Sequence, residues 1–252
     1  ELVEAITGMR PKAAGTVTLD GTDITGANPR QVDRLGVGHV PEDRNKHGVV
    51  ESFTIADNLV LNTYAHQPFA RRLIRQTRKV DEQARDLVER YDIRAPGIHA
   101  PVATLSGGNQ QKVIIARELS GDPKLLIVAQ PTRGLDVGSI EFVHKRLVRE
   151  RDQGTAVILV STEFDEIFAL SDRIAVMYRG RIVGIVGPDT PWDQLGLMMA
   201  GFAPEEAAQV DRPAIHPDVG LVVGEPVRDI ERRVVKDSRQ RLPKRPGRAR
   251  LA

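Results

Sequence analysis

From Leu125 onward the chain alternates short, continuous apolar runs with amphipathic stretches. Leu125–Ala129 and Ala156–Ser161 read as strands with no polar face, and Ser139–Arg151 between them reads as an amphipathic helix. Phe164–Leu170 reads as helix, Arg173–Tyr178 and Arg181–Val186 as strands, and Trp192–Met199 as a last short helix. Strands that never alternate with polar residues need cover on both faces. The pattern therefore predicts an α/β architecture with a parallel sheet between helical layers.

The upstream half is less regular. Glu1–Met9 reads as the end of a helix stopped by Gly8, and Asp20-Gly21 signals a hairpin between Thr16–Asp20 and Thr22–Thr25. Pro29 opens a short helix to Leu35, and Val37–Val40 reads as a strand. Thr54–Asn62 and Val80–Tyr91 read as helices. Between them lies the basic stretch Arg71–Lys79, whose Arg71, Arg72, Arg75 and Arg78 leave phosphate contact or solvated helix faces open. The segment Thr104–Leu119 is a loop that becomes a helix at a glycine pair.

Composition excludes several chemistries. The 252 residues contain no cysteine, so disulfides, thiolate metal sites and a cysteine nucleophile are ruled out, and a reducing compartment fits. No apolar run approaches the roughly 20 residues that a membrane-spanning helix needs. His39, His47, His66, His99, His144 and His216 lack metal-ligand spacing. The net charge of +2 conceals an asymmetry: Arg228–Ala252 carries +7 and the remainder −5. The basic run Arg241, Lys244, Arg245, Arg248 and Arg250 has no interleaved aromatics and no recognition fold, so specific nucleic-acid binding is not expected.

The most specific string is Leu105-Ser106-Gly107-Gly108-Asn109-Gln110-Gln111-Lys112. A serine followed by two glycines at a helix start offers bare N–H groups, the positive end of a helix dipole and a hydroxyl, which together suit an anion. The string resembles the signature motif of ABC transporter ATPases of the sugar and nucleoside importer type. Leu125–Asp136 resembles that family's Walker B strand and D-loop, Val160-Ser161-Thr162-Glu163 its switch region, and Arg173–Gly184 the strand pair closing its core. The likeness extends over residues 1–203 and is strongest to the second (C-terminal) ATPase half of tandem subunits.

The resemblance implies a P-loop NTPase-like three-layer core with a helical subdomain at about 52–104. Outside the resemblance, the periodicity fades from about Pro204, and 204–252 reads as a C-terminal extension with a basic, disordered tail. The resemblance also implies that two ATPase domains sandwich ATP. Ser106, Gly107, Gly108 and Gln110 would then contact a nucleotide held mainly by the partner, and Asp136 of the D-loop would shape the interface.

Other positions depart from the family pattern. No G-x-x-x-x-G-K-[ST] string is present, and Glu1–Gly8 resembles the helix that follows the phosphate loop. The resemblance therefore implies that the phosphate loop and first core strand are missing. The Walker B aspartate aligns with Ala129, the catalytic glutamate with Gln130, the switch histidine with Thr162 and the Q-loop glutamine with Glu42. No catalytic residue in cis and no metal ligand are expected, with ATP and Mg²⁺ held mainly by the partner site.

The function implied is that of an ATP-binding subunit coupling ATP binding and hydrolysis to import of a simple sugar or nucleoside. Its partners would be a second ATPase domain, permease subunits and, indirectly, an external solute-binding protein. It would sit in the cytoplasm, peripheral to the inner membrane face. The alternative is a truncated, non-catalytic remnant that neither binds nor hydrolyses ATP alone.

Overall fold

The computed structural model describes residues 1–12 and 14–208 and the backbone of 220–224. The first elements are α1 (Leu2–Ile6), the hairpin β1 (Thr18–Leu19) and β2 (Thr22–Asp23), α2 (Pro29–Arg34) and β3 (Val37–Val40). Next come α3 (Ile55–Leu59), a second hairpin β4 (Ala70–Arg71) and β5 (Ile74–Arg75), α4 (Thr77–Arg90) and α5 (Gly107–Leu119). The regular half comprises β6 (Leu125–Ala129), α6 (Val137–Asp152), β7 (Ala156–Ser161), α7 (Phe164–Leu170), β8 (Arg173–Tyr178), β9 (Arg181–Val186) and α8 (Trp192–Met199). Two elements follow, α9 (Pro204–Ala207) and β10 (Gly220–Gly224).

The main sheet has six strands in the order β3-β6-β7-β10-β8-β9. β3, β6 and β7 run parallel, as their apolar runs predict. β8 and β9 form an antiparallel hairpin across Arg179 and Gly180, both at positive φ, which suits the twist of a tight hairpin. The sheet is thus mixed rather than wholly parallel.

β6 shows why both faces need cover. Leu126 and Val128 belong to the main core with α3, α4 and α5, whereas Ile127 joins Val32 and Val37 under Val3 and Ile6 of α1. Successive side chains leave opposite faces of a strand, so an all-apolar β6 feeds two helical layers at once. Each fully buried Leu or Ile contributes roughly 1.5–3 kcal/mol relative to exposure.

α5 runs through the middle. From Gln110 to Leu119 every residue is buried, so this helix has no solvent face. Its buried charged residues are consequently paired. Arg117 and Glu118 form an ion pair at 2.8 Å with both side chains 5% exposed. Glu118 also accepts from the His39 N–H at 3.0 Å and the Asn62 amide at 3.1 Å, and Arg117 donates to the Gly48 carbonyl at 2.8 Å.

Asp33 lies near this pair. Partial burial, and then the Glu118 carboxylate, raise its carboxyl above the ordinary value of 3.8. The native state thus holds the Asp33 proton more tightly than the unfolded chain. Ionised Asp33 costs stability above the raised value, and the cost vanishes as pH falls towards 3.8. Asp33→Asn is expected to stabilise slightly at pH 7, by about 0.5 kcal/mol or less after solvent screening. The gain should shrink on acidification, as checked by urea melts between pH 7 and pH 4.5.

The basic segment differs from its expected form. Arg71 and Arg75 lie on the β4–β5 hairpin rather than on a helix, and Arg75 pairs with Asp57. Arg78 lies on α4, paired with Glu82 at 3.0 Å. Within the C-terminal extension, α9 is a short helix and β10 a strand paired on both sides. The basic run Arg239–Arg250 lies outside the described residues.

Candidate functional site at the start of helix α5

The serine–diglycine string folds as its chemistry demands. Ser106 is the exposed N-cap of α5 in extended conformation (φ −62°, ψ 156°), and its Oγ accepts from the Asn109 amide group at 2.9 Å and from the Asn109 N–H at 3.5 Å. The first-turn N–H groups of Gly107 and Gly108 have no intrahelical acceptor, as at any helix start. Asn109 is anchored in turn, since its Oδ1 accepts from the Arg94 N–H at 2.8 Å.

The two glycines are needed for different reasons. A Cβ on Gly108 would lie 2.1 Å from Ser139 Oγ and 3.1 Å from Asp136 Oδ2, because α6 begins directly against the turn. Asp136 caps α6, accepting from the Ser139 N–H at 3.0 Å and its hydroxyl at 2.7 Å. These donors, the hydroxyl first, hold the Asp136 carboxyl below its ordinary range, so it is ionised at neutral pH. A Cβ on Gly107 would instead meet the far end of Arg44, 2.8 Å from Nη2, and a flexible side chain can yield. Gly108→Ala is therefore expected to cost about 1–3 kcal/mol in denaturant melts, as overpacked sites do, and Gly107→Ala less.

Arg44 and Arg133 were not singled out by sequence reasoning, nor was Ser139. The Arg44 guanidinium spans from Gly107 to the Gly134 turn, where Nη1 donates to the Arg133 carbonyl at 3.1 Å. Its Nε is buried and has no hydrogen-bond partner within the described residues. Arg133 in turn pairs with Glu42 at 2.8 Å. Arg44 and Glu42 thus tie the segment after β3 to the turn after β6. Nothing local marks these pairs, which join residues about 90 positions apart.

A second group forms at the ends of β6 and β7. Gln130 adopts a left-handed conformation (φ 48°), uncommon for a residue with a Cβ, and its N–H donates to the Val160 carbonyl at 2.7 Å. Its Nε2 donates to Thr162 Oγ1 at 3.2 Å, and its Oε1 accepts from the Thr162 N–H at 3.4 Å. Strained backbone of this kind clusters at functional sites. Ala129 beside it is 7% exposed and brings no side-chain oxygen.

The structure therefore unites Ser106, Gly107 and Gly108 with Asp136, pairs Gln130 with Thr162, and spends Glu42 on Arg133. Gln110 is buried, with Nε2 directed to the Val102 carbonyl at 3.3 Å. The turn at Ser106 can receive an anion from solvent, with the Arg44 cation close behind Gly107. Magnesium fits poorly at the other cluster: an alanine and an amide engaged with a threonine bring no carboxylate, and Glu42 is paired with Arg133. Among the described residues, no three histidine, aspartate or glutamate side chains converge as a metal site.

A family profile described as ABC transporter matches residues 1–133, more than half of the chain. The chain belongs to the ABC transporter family. It is 48% identical over 212 residues to the guanosine import ATP-binding protein NupO of Bacillus subtilis, covering 84% of this chain and 42% of that protein. It is 50% identical over 202 residues to the nucleoside import ATP-binding protein NupA of Lactococcus lactis, covering 80% and 40%. A ribose import ATP-binding protein of Rhizobium meliloti is 38% identical, covering 73% and 36%. The chain thus spans about 40% of the length of the curated relatives it matches. Among solved structures, the ADP- and phosphate-bound dimeric cassette MJ0796 superposes with a TM-score of 0.63 at 19% identity, covering 75% of this chain and 80% of that one. The cassette MJ1267 gives 0.60 at 20% identity, covering 83% and 78%. These likenesses establish the ATP-binding cassette fold for this member of the ABC transporter family. No described helix is long and apolar enough to cross a membrane.

Proposed function

We propose that this ABC transporter domain is a signature-donating ATPase half of an importer for a nucleoside or simple sugar. The carrying observation is the division of its two clusters. The turn at Ser106 is exposed, capped and ready for an anion, whereas the Ala129–Gln130–Thr162 cluster holds neither a general base nor a magnesium ligand. The relatives named for guanosine, nucleoside and ribose import support the cargo class.

In this reading, a second ATPase domain holds ATP and Mg²⁺. Ser106 Oγ and the Gly107 and Gly108 N–H groups meet the terminal phosphate across the interface. Gln110 keeps the preceding loop in place through Val102, and Asp136 shapes the contact. Residues 52–104 form the helical subdomain near the permease subunits, 1–203 is the cassette and 204–252 its extension. An external solute-binding protein delivers cargo, and the assembly lies at the cytoplasmic face of the membrane.

The absence of cysteine allows a direct test. Ser106→Cys provides a unique thiol, whose maleimide labelling should slow when ATP is added with an ATPase partner that carries a phosphate loop. ATP without partner should leave labelling unchanged. Protection by ATP alone contradicts donation in trans, and protection under neither condition supports the remnant alternative.

A further inference from the structure

Ser106 caps α5, and Asn109 stands at the third helical position. In a capping box, a glutamate or glutamine at that position turns back to the N–H of the capping residue. Asn109 has a shorter side chain than glutamine and bonds differently. Its Oδ1 accepts from the Arg94 N–H at 2.8 Å, and its Nδ2 lies 2.9 Å from Ser106 Oγ. A backbone N–H can only donate, so the oxygen of the amide must face Arg94 and its NH₂ must face Ser106. The bond from Arg94 thus fixes which end of the amide the serine meets.

The hydroxyl of Ser106 is constrained in turn. It has one proton to give and two lone pairs. Ser106 Oγ accepts from the Asn109 NH₂ and, at 3.5 Å, from the Asn109 N–H. Both neighbours on the helix side are donors, so the Ser106 proton turns away from them, towards the exposed side of the cap. α5 grips the end of α4 a second time on the same face. Lys112, three residues on, donates to the Asp92 carbonyl at 2.7 Å and to its carboxylate at 2.9 Å, with the Phe142 ring centre 4.6 Å from Nζ. Ile93, between Asp92 and Arg94, is buried. The segment that orients the Asn109 amide is therefore itself clamped to α5.

We propose that Asn109 is a positioning residue: anchored by the Arg94 N–H, it turns the Ser106 hydroxyl proton outward as a donor to the partner's terminal phosphate. This rests on donation in trans and adds that the end of α4 sets the polarity of the serine. A hydroxyl already aimed at the phosphate needs no reorientation as charge develops there, which is how preorganised donors act. Asn109 does this without touching the nucleotide.

The contact is tested first in the full chain without partner. In Ser106→Cys the thiol is unique, and the pH dependence of maleimide labelling gives its pKa. Adding Asn109→Ala is expected to raise that value by about 0.5 or more, because a donor to the thiolate is lost. Arg44 and Asp136, beside Gly107 and Gly108, are common to both chains. Asn109→Asp keeps the size, the bond from Arg94 and a charge suited to a helix start, so it guards against loss of the fold. It should raise the value further, since its carboxylate accepts the thiol proton. A value unchanged by either substitution overturns the proposal. With a catalytically complete partner, Asn109→Ala should lower kcat about tenfold with KM little changed, as loss of a transition-state interaction does. Added to Ser106→Ala it should cost less than about twofold, since the hydroxyl it acts through is gone. Equal losses in both backgrounds mean that Asn109 contacts the nucleotide itself, and overturn the proposal. Full turnover in Asn109→Ala alone overturns it too, whereas full turnover in Ser106→Arg as well overturns donation in trans.

Discussion

Replacing Ser106 by arginine in an assembly with a catalytically complete partner is expected to reduce ATP turnover at least about 100-fold. Loss of one donor aimed at developing charge typically costs 10²- to 10³-fold. Arginine removes the hydroxyl and also fills the exposed position at the start of α5, keeping the partner's nucleotide away from the Gly107 and Gly108 N–H groups. The effect on folding should be far smaller, since loss of a serine cap costs about 1 kcal/mol. Phosphate release and a thermal melt of the same sample separate the two. Ser106→Thr, which keeps the hydroxyl and the cap, should retain most of the turnover. Unchanged turnover in the arginine variant would refute donation in trans.

The isolated chain is expected to release no phosphate from ATP above a protein-free blank. The amide of Gln130 cannot accept a proton at neutral pH, and general-base assistance is worth about 10²- to 10⁴-fold, or roughly 3–5 kcal/mol of barrier. Gln130→Glu alone should not restore activity, because Ala129 still offers no oxygen for magnesium and Glu42 remains paired with Arg133. Such losses are not additive, so repair of one group leaves the site inactive. Hydrolysis that scales with chain concentration and survives removal of contaminating ATPase would contradict this.

Much of the fold was legible because its signals are local. Five apolar residues at Leu125–Ala129 can only be a doubly covered strand or a buried helix turn, and Pro131 and Gly134 just beyond argue for the strand. The N-caps at Ser106 and Asp136 lie where short polar residues precede helical periodicity. The hairpin Ala70–Arg75 was hidden because two-residue strands are too short to alternate, and their arginines resemble a helix face. β10 was hidden for another reason. Its three apolar residues stand between two glycines, and what makes them a strand is the pairing partners Leu159 and Ile174 far upstream.

The site divides in the same way. Ser106, Gly107 and Gly108 were readable from residue chemistry, because a cap followed by glycines is an anion site wherever it occurs. Arg44, Arg133 and Ser139 were not, because each acts through a neighbour supplied by folding. Glu42 shows the limit most clearly. Its position suggested a substituted Q-loop residue, but only the folded chain reveals the ion pair with Arg133 that occupies it.

The most direct measurement is a nucleotide-bound structure of this domain assembled with an ATPase partner that carries its own phosphate loop. The account predicts the adenine and Mg²⁺ on the partner, with a terminal phosphate oxygen within about 3 Å of Ser106 Oγ or the Gly108 nitrogen, as a hydrogen bond requires. A triphosphate seated wholly within one copy of this chain, away from the start of α5, would contradict it.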